Sequence, residues 1–183
     1  MVIGTRLIEK FKIIQMKKIL LLIIIVTFIS CETKTVEIEK TAGEWLMDGN
    51  WNGKKYMLGD DKYADLALKF MDAYADFDPQ TMVEMTTDEA KFHPGDAAGV
   101  FDVDMSNTDF IVERQSNWDS LSRDYNFIIP LKLEETNSNV VHVGIDEDRY
   151  YKDGTTESIL FYEKIWFNKD DKITRVVQWM RPN

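Results

Sequence analysis

The sequence predicts an α+β domain in which helices gather on one face of a curved antiparallel sheet. Two observations carry this expectation. Apolar residues recur at helical spacing between residues 63 and 77. From Tyr125 to Met180 the period changes to two, in four runs separated by short polar turns. Helices first and an antiparallel meander afterwards give a two-layer architecture.

Residues 43–60 contain Trp45, Trp51 and an Asn52-Gly53 pair. Asn-Gly between Trp51 and Lys54 predicts a two-residue hairpin turn. Asp48, Asn50, Asn52 and Gly53 also match the first half of a calcium loop, but its twelfth position is Gly59 and not a glutamate. Asp60-Asp61 is positioned to cap a helix from Lys62 to about Phe77. Tyr63, Leu66, Ala67, Phe70, Tyr74 and Phe77 form its apolar face. Asp78-Pro79 starts a second, short helix, with Asp78 as cap and Pro79 in the first turn. A strand over 88–93 ends at Pro94-Gly95, and Gly95 to Gly99 is a turn.

Phe110, Ile111, Gln115, Trp118 and Leu121 fall at helical spacing, predicting a helix from Asn107 or Thr108 to about Ser122. Four strands follow: Tyr125–Leu133, Val140–Ile145, Ser158–Phe167 and Ile173–Met180. The second runs into Asp146-Glu147-Asp148, read as a solvated acidic bulge. Asp153-Gly154 and Asp170-Asp171 are turns.

The 183 residues carry 22 Lys plus Arg and 32 Asp plus Glu, a formal charge of −10. That acidity excludes a general grip on nucleic acid, which needs clustered basic residues. The charge is uneven. Residues 1–31 hold five basic side chains against Glu9 alone; the other 152 hold 17 basic and 31 acidic ones. Met16-Lys17-Lys18 precedes an eleven-residue run, Ile19 to Ile29, in which only Thr27 is polar. A basic start, a short apolar run and a small residue before the cut describe an export signal over residues 1–30, with Met16 an alternative start. The run is too short for a membrane-spanning helix, which needs roughly 20 apolar residues.

The one cysteine, Cys31, ends that run. Phe28-Ile29-Ser30-Cys31 resembles the lipobox of bacterial lipoproteins, which implies cleavage before Cys31 and its acylation. Residues 31–42 then form the lipidated cysteine and a polar tether. The resemblance implies an exported, membrane-anchored protein of the bacterial envelope.

The body resembles the nuclear transport factor 2-like superfamily, also called SnoaL-like or ketosteroid-isomerase-like, over about residues 60–181. The stretches YADLALKFMDAYADFD (63–78), MTTDEAKFHPG (85–95) and ESILFYEKIWFNKDDKITRVVQWM (157–180) carry it. The resemblance implies a cone-shaped cavity between sheet and helices. It places Glu163 where the isomerases keep a protonated acid, and His93 where they carry a general base. The matching tyrosine position lies near Leu68, while Tyr63 and Tyr74 sit elsewhere on the helix.

The residues themselves support part of this. Glu163 interrupts a strand face otherwise made of Ile159, Phe161, Ile165 and Phe167. A carboxyl there must be paired or protonated; Arg175 is one candidate partner. His142 shares a face with Gly144 and not with Val141, Val143 and Ile145, so it points outward.

The expected ligand pocket is lined by His93, Phe161, Glu163, Ile165 and Trp118. It would hold a small apolar or amphipathic molecule without catalysis. One alternative is an isomerase, cyclase or dehydratase using His93 and Glu163 as catalytic groups; another is an assembly module that dimerises through its sheet. No cofactor and no metal site is implied.

Overall fold

The structure, a computed structural model, describes residues 41–136 and 138–182. The export signal, Cys31 and the tether up to residue 40 lie outside the described residues. Three helices and eight strands follow in the order β1 (Thr41–Glu44), β2 (Lys55–Leu58), α1 (Lys62–Ala75), α2 (Pro79–Met85), β3 (Thr86–His93), β4 (Phe101–Asp104), α3 (Asp109–Gln115), β5 (Trp118–Leu133), β6 (Asn139–Tyr151), β7 (Thr156–Phe167) and β8 (Ile173–Pro182). The strands form one curved, unclosed sheet in the order β1-β2-β5-β6-β7-β8-β3-β4. All pairings are antiparallel except β3 with β8.

The first helix begins as its sequence directs. Asp60 Oδ1 accepts the Lys62 backbone N–H at 2.9 Å, while Asp61 makes no side-chain cap. Tyr63, Ala67, Phe70, Met71 and Tyr74 bury one face. Lys62 Nζ and the Tyr63 hydroxyl both donate to Asp171 Oδ1 at 2.9 Å. This ties the start of α1 to the β7–β8 turn, where Asp171 has φ 59°. Asp78 caps α2 by accepting the Thr81 N–H at 3.1 Å, with Pro79 in the first turn.

Several expectations are corrected. The helix predicted to reach Ser122 ends at Gln115, and Trp118 and Leu121 belong to β5. A register shift between Trp118 and Ser120 inserts one residue into the strand. Trp118 and Leu121 therefore point the same way three residues apart, which imitates helical spacing. The acidic run 146–148 is not a solvated bulge. It continues the β6 ladder, with Glu147 opposite Arg123 and Ile159, and Glu147 is only 1% exposed. The Asn52-Gly53 pair does not make a two-residue turn. Glu44 pairs with Lys55, and residues 45–54 form a longer loop closed by Trp45 N–H to Lys54 O at 2.9 Å. Gly53 takes φ +79° in that loop. Thr41 and Ala42, assigned to the tether, are strand residues of β1. Strand β4 was not foreseen.

The main core lies between α1 to α3 and the inner face of the sheet. Phe161, Phe167, Met71, Ile145, Ile159, Ile165 and Ile173 are its largest fully buried apolar side chains. Burial of each such side chain stabilises the fold by roughly 1.5–3 kcal/mol. A second cluster lies under the β1–β2 loop, where Trp45 and Trp51 pack against Trp166, Leu131 and Val140. Trp51 stacks on Trp166 with ring centroids 5.4 Å apart.

Candidate functional site

Strand alternation brings one side chain from each neighbouring strand to the inner face. From β7 this is Glu163, 2% exposed. Its register partner on β8 is Gln178, whose Nε2 donates to Glu163 Oε1 at 2.7 Å. Arg175, the expected ion-pair partner, stands opposite Trp166 instead. Removal from water is the largest influence on Glu163 and raises its pKa, against the opposing pull of Arg123. Burial thus shifts Glu163 toward its protonated form, in which the carboxyl gains an O–H to donate.

Arg123 is committed elsewhere. Its Nε donates to Glu147 Oε2 at 2.7 Å, and Arg149 Nε donates to Glu147 Oε1 at 2.6 Å. One buried carboxylate is thus shared by two guanidinium groups. Arg149 also lies 3.5 Å from Glu157 and stacks 4.7 Å from the Trp118 ring centre. Arg123 stacks 4.7 Å from the Tyr74 ring centre. A fully paired network of this kind leaves Glu163 without a dedicated counter-ion, so the burial that raises its pKa is only partly offset.

A cavity of about 70 Å³ opens beside these groups. Its polar lining comprises Glu163, Gln178, Arg123, Tyr74, Thr86, Arg114 and Lys91. Phe70, Phe92, Phe110, Met82, Met105 and Val176 form much of the apolar wall. Gln178 Oε1 is enclosed and has no hydrogen-bond partner. Burial of the Tyr74 hydroxyl pushes its pKa to about 12, so it remains a donor.

Of the five residues expected to line the pocket, the structure brings Glu163 to the cavity. Phe161 and Ile165 share its strand face but are packed in the core, at 2% and 0% exposure. Trp118 is buried against Tyr74 and Arg149. His93 is half-buried and is not among the lining residues; Ala90 and Phe92, its strand neighbours, are. The His93 Nε2 is enclosed without a partner, and burial, with Arg175 and Lys91 nearby, lowers its pKa. His93 and Glu163 therefore do not converge on one cavity. His142 faces the outer side with Tyr56 and Tyr162, and burial lowers its pKa to about 4. Near it, Phe127, Ile129 and Trp179 are 41%, 43% and 50% exposed. Among the described residues, no three His, Cys, Asp or Glu side chains are grouped to hold a metal ion.

Sequence reasoning missed Arg123, Gln178 and Tyr74. For Arg123 and its partner Glu147 a signal existed: each continues the inward alternation of its strand, after Leu121 and after Ile145. Gln178 needed the β7–β8 register, which no local pattern supplies.

The helix layer on a curved, unclosed sheet matches solved structures of one fold. The domain has the NTF2-like fold. The NTF2-like domain is similar to the epoxide hydrolase/cyclase-like enzyme SalBIII of pyran ring formation in salinomycin, with TM-score 0.55 and 11% identity over 66% of this chain and 92% of that one. It is similar to a SnoaL-like polyketide cyclase of Shewanella denitrificans OS-217, with TM-score 0.52 and 13% identity over 67% and 92%. An NTF2-like protein of Anabaena variabilis ATCC 29413 matches with TM-score 0.53 and 14% identity over 67% and 89%. No protein-family model matches the chain, and no curated protein matches it. At these identities the likeness extends to the NTF2-like fold alone.

Proposed function

We propose that this chain is an exported, lipid-anchored protein whose NTF2-like domain binds a small amphipathic ligand in the interior cavity without transforming it. The basic start, the short apolar run and Cys31 support the anchoring. The observation that carries the binding reading is the pairing of Glu163 with Gln178 in an apolar cavity. A neutral carboxyl offers a hydrogen, and the unpartnered Gln178 Oε1 asks for one. A buried acceptor without a partner costs roughly 1–3 kcal/mol, which a ligand hydroxyl or N–H would recover. The room available, about 70 Å³, is about half of the roughly 150 Å³ that admits a benzene ring. A ring-sized ligand therefore requires Met82 and Met105, flexible side chains of the wall, to move aside.

A second reading, an isomerase, cyclase or dehydratase, is favoured by one observation. Tyr74 and Glu163 border the same cavity as two hydrogen-bond donors, suited to a developing oxyanion. Proton abstraction also needs a base, and Glu163 is the one carboxyl among the lining residues, with no histidine beside it. Binding alone asks less of this lining.

The test uses p-cresol, an apolar ring with one hydroxyl, followed by amide chemical shifts. Shift changes centred on Glu163, Gln178 and Val176, abolished by the cavity-filling change Val176→Phe, are expected. Changes elsewhere, or changes that survive Val176→Phe, would overturn the binding reading. Replacing Cys31 by Ser should move the protein out of the membrane fraction; retention there would overturn the anchor.

A further inference from the structure

A second cleft, of about 310 Å³, lies where β3 and β8 run parallel beside the β1–β2 loop. It borders the interior cavity at Ala90 and Lys91 and is otherwise lined by different residues. Its volume reaches the lower end of the range typical of small-molecule sites, roughly 300–1,000 Å³. Trp51 and Trp166, stacked on one another, supply its apolar wall. Glu89, Lys91, Asp102 and Arg175 supply its charged groups.

We propose that this cleft binds a neutral carbohydrate, with a sugar ring lying against the Trp51–Trp166 wall and its hydroxyls bridging Glu89 and Arg175. The charge pattern decides the class. Two acids face two bases, so the cleft presents no net field to attract an anion. Lys91 Nζ and Asp102 Oδ1 satisfy each other at 2.7 Å. Among the described residues, the side chains of Glu89 and Arg175 have no ion pair and no hydrogen bond. Lys91 and Arg175 are register partners on adjacent strands, an arrangement of like charges that destabilises a sheet unless something else engages them. An unpaired carboxylate accepts two hydroxyl hydrogens, and a guanidinium donates to hydroxyl oxygens in a fixed fork. A sugar presents donors and acceptors around its rim and an apolar C–H face for an indole.

Other ligand classes fit less well. A peptide adding to the sheet needs a free strand edge, and β3 is already flanked by β8 and β4. Nucleic acid needs a basic field, and the chain is at −10.

Saturation-transfer NMR with maltose, cellobiose and chitobiose tests the proposal, with glucuronate as an acidic comparison. Transfer to at least one neutral disaccharide at millimolar concentration is expected, with quenching of tryptophan fluorescence. Arg175→Gln and Glu89→Gln should each weaken binding by at least about tenfold, since each removes a charge-assisted hydrogen bond. Both are surface changes that leave the core intact, so lost binding is not lost folding; Trp51→Ala is the third variant, with its fold checked by amide shifts. Val176→Phe should leave sugar binding unchanged, which separates this site from the interior cavity. Absence of transfer from every neutral disaccharide, binding restricted to glucuronate, or binding indifferent to Arg175→Gln and Glu89→Gln would each overturn it.

Discussion

Replacing Glu163 by glutamine isolates the consequence of burying an acid without a counter-ion. Glu163 is 2% exposed and accepts one hydrogen bond from Gln178, while Arg123 is held by Glu147. Its folded-state pKa therefore lies above the unfolded value of 4.5. Between those two values the folded chain holds a proton that the unfolded chain has released. Stability is then complete below pH 4.5 and falls as pH rises through the folded pKa. The slope in that window is about 1.4 kcal/mol per pH unit. For a domain of this size that corresponds to about 4 °C in Tm per pH unit. The side-chain amide introduced by Glu163→Gln keeps a donor and an acceptor in the same place but does not titrate. Thermal unfolding of both proteins across pH 4 to 8 gives the difference directly, because every other titrating group cancels. The variant should gain on the wild type as pH rises, then hold a constant advantage above the folded pKa. Parallel curves, or a variant that loses ground with rising pH, would show that Glu163 is ionised and held by Arg123.

The shared carboxylate predicts an unequal pair of mutants. Glu147→Gln leaves Arg123 buried without a carboxylate and Arg149 with only Glu157 at 3.5 Å, and should cost about 3–5 kcal/mol in denaturant unfolding. Arg123→Met leaves Glu147 still bound to Arg149 and should cost clearly less. The histidines should be distinguishable by NMR. His142, desolvated among aromatic rings, should titrate near pH 4, and His93 below 6.5. Their neutral forms are the folded ones, so each contributes stability that is lost as pH falls from 6.5 through its folded pKa.

Much of the architecture was legible because period and punctuation agreed. The cap at Asp78-Pro79, the apolar face of α1 and the alternation in β7 each rest on a local rule that the tertiary structure obeys. Trp118 and Leu121 failed for a local reason as well: a bulge inserts one residue, and a strand then mimics a helix. The run 146–148 was misjudged because three acids in a row look solvated, although Glu147 continues the inward set Val141, Val143, Ile145. Strand β4, four residues with two aspartates, was too short and too polar to announce itself. At the site, Glu163 was visible as an acid on an apolar face. The partners that define its surroundings, Gln178 and Arg123, depend on register across strands 15 and 40 residues away, which periodicity does not encode.

The strand order carries a further consequence. In strand order the long ladder strands β5 to β8, of 10 to 16 residues, are flanked at the two ends of the sheet by β1 and β4, of four residues each. One rim ends in Glu44, and the other bears Asp102 and Asp104. Short charged rims are poor templates for another chain's backbone. The β1–β2 hairpin guards only the C-terminal end of β5, pairing with Leu131, Lys132 and Leu133. The rest of that edge is blunted from within: Pro130 has no N–H to offer a neighbouring strand, and the irregularities at residues 118–120 and 125–127 break the regular ladder that another chain would need.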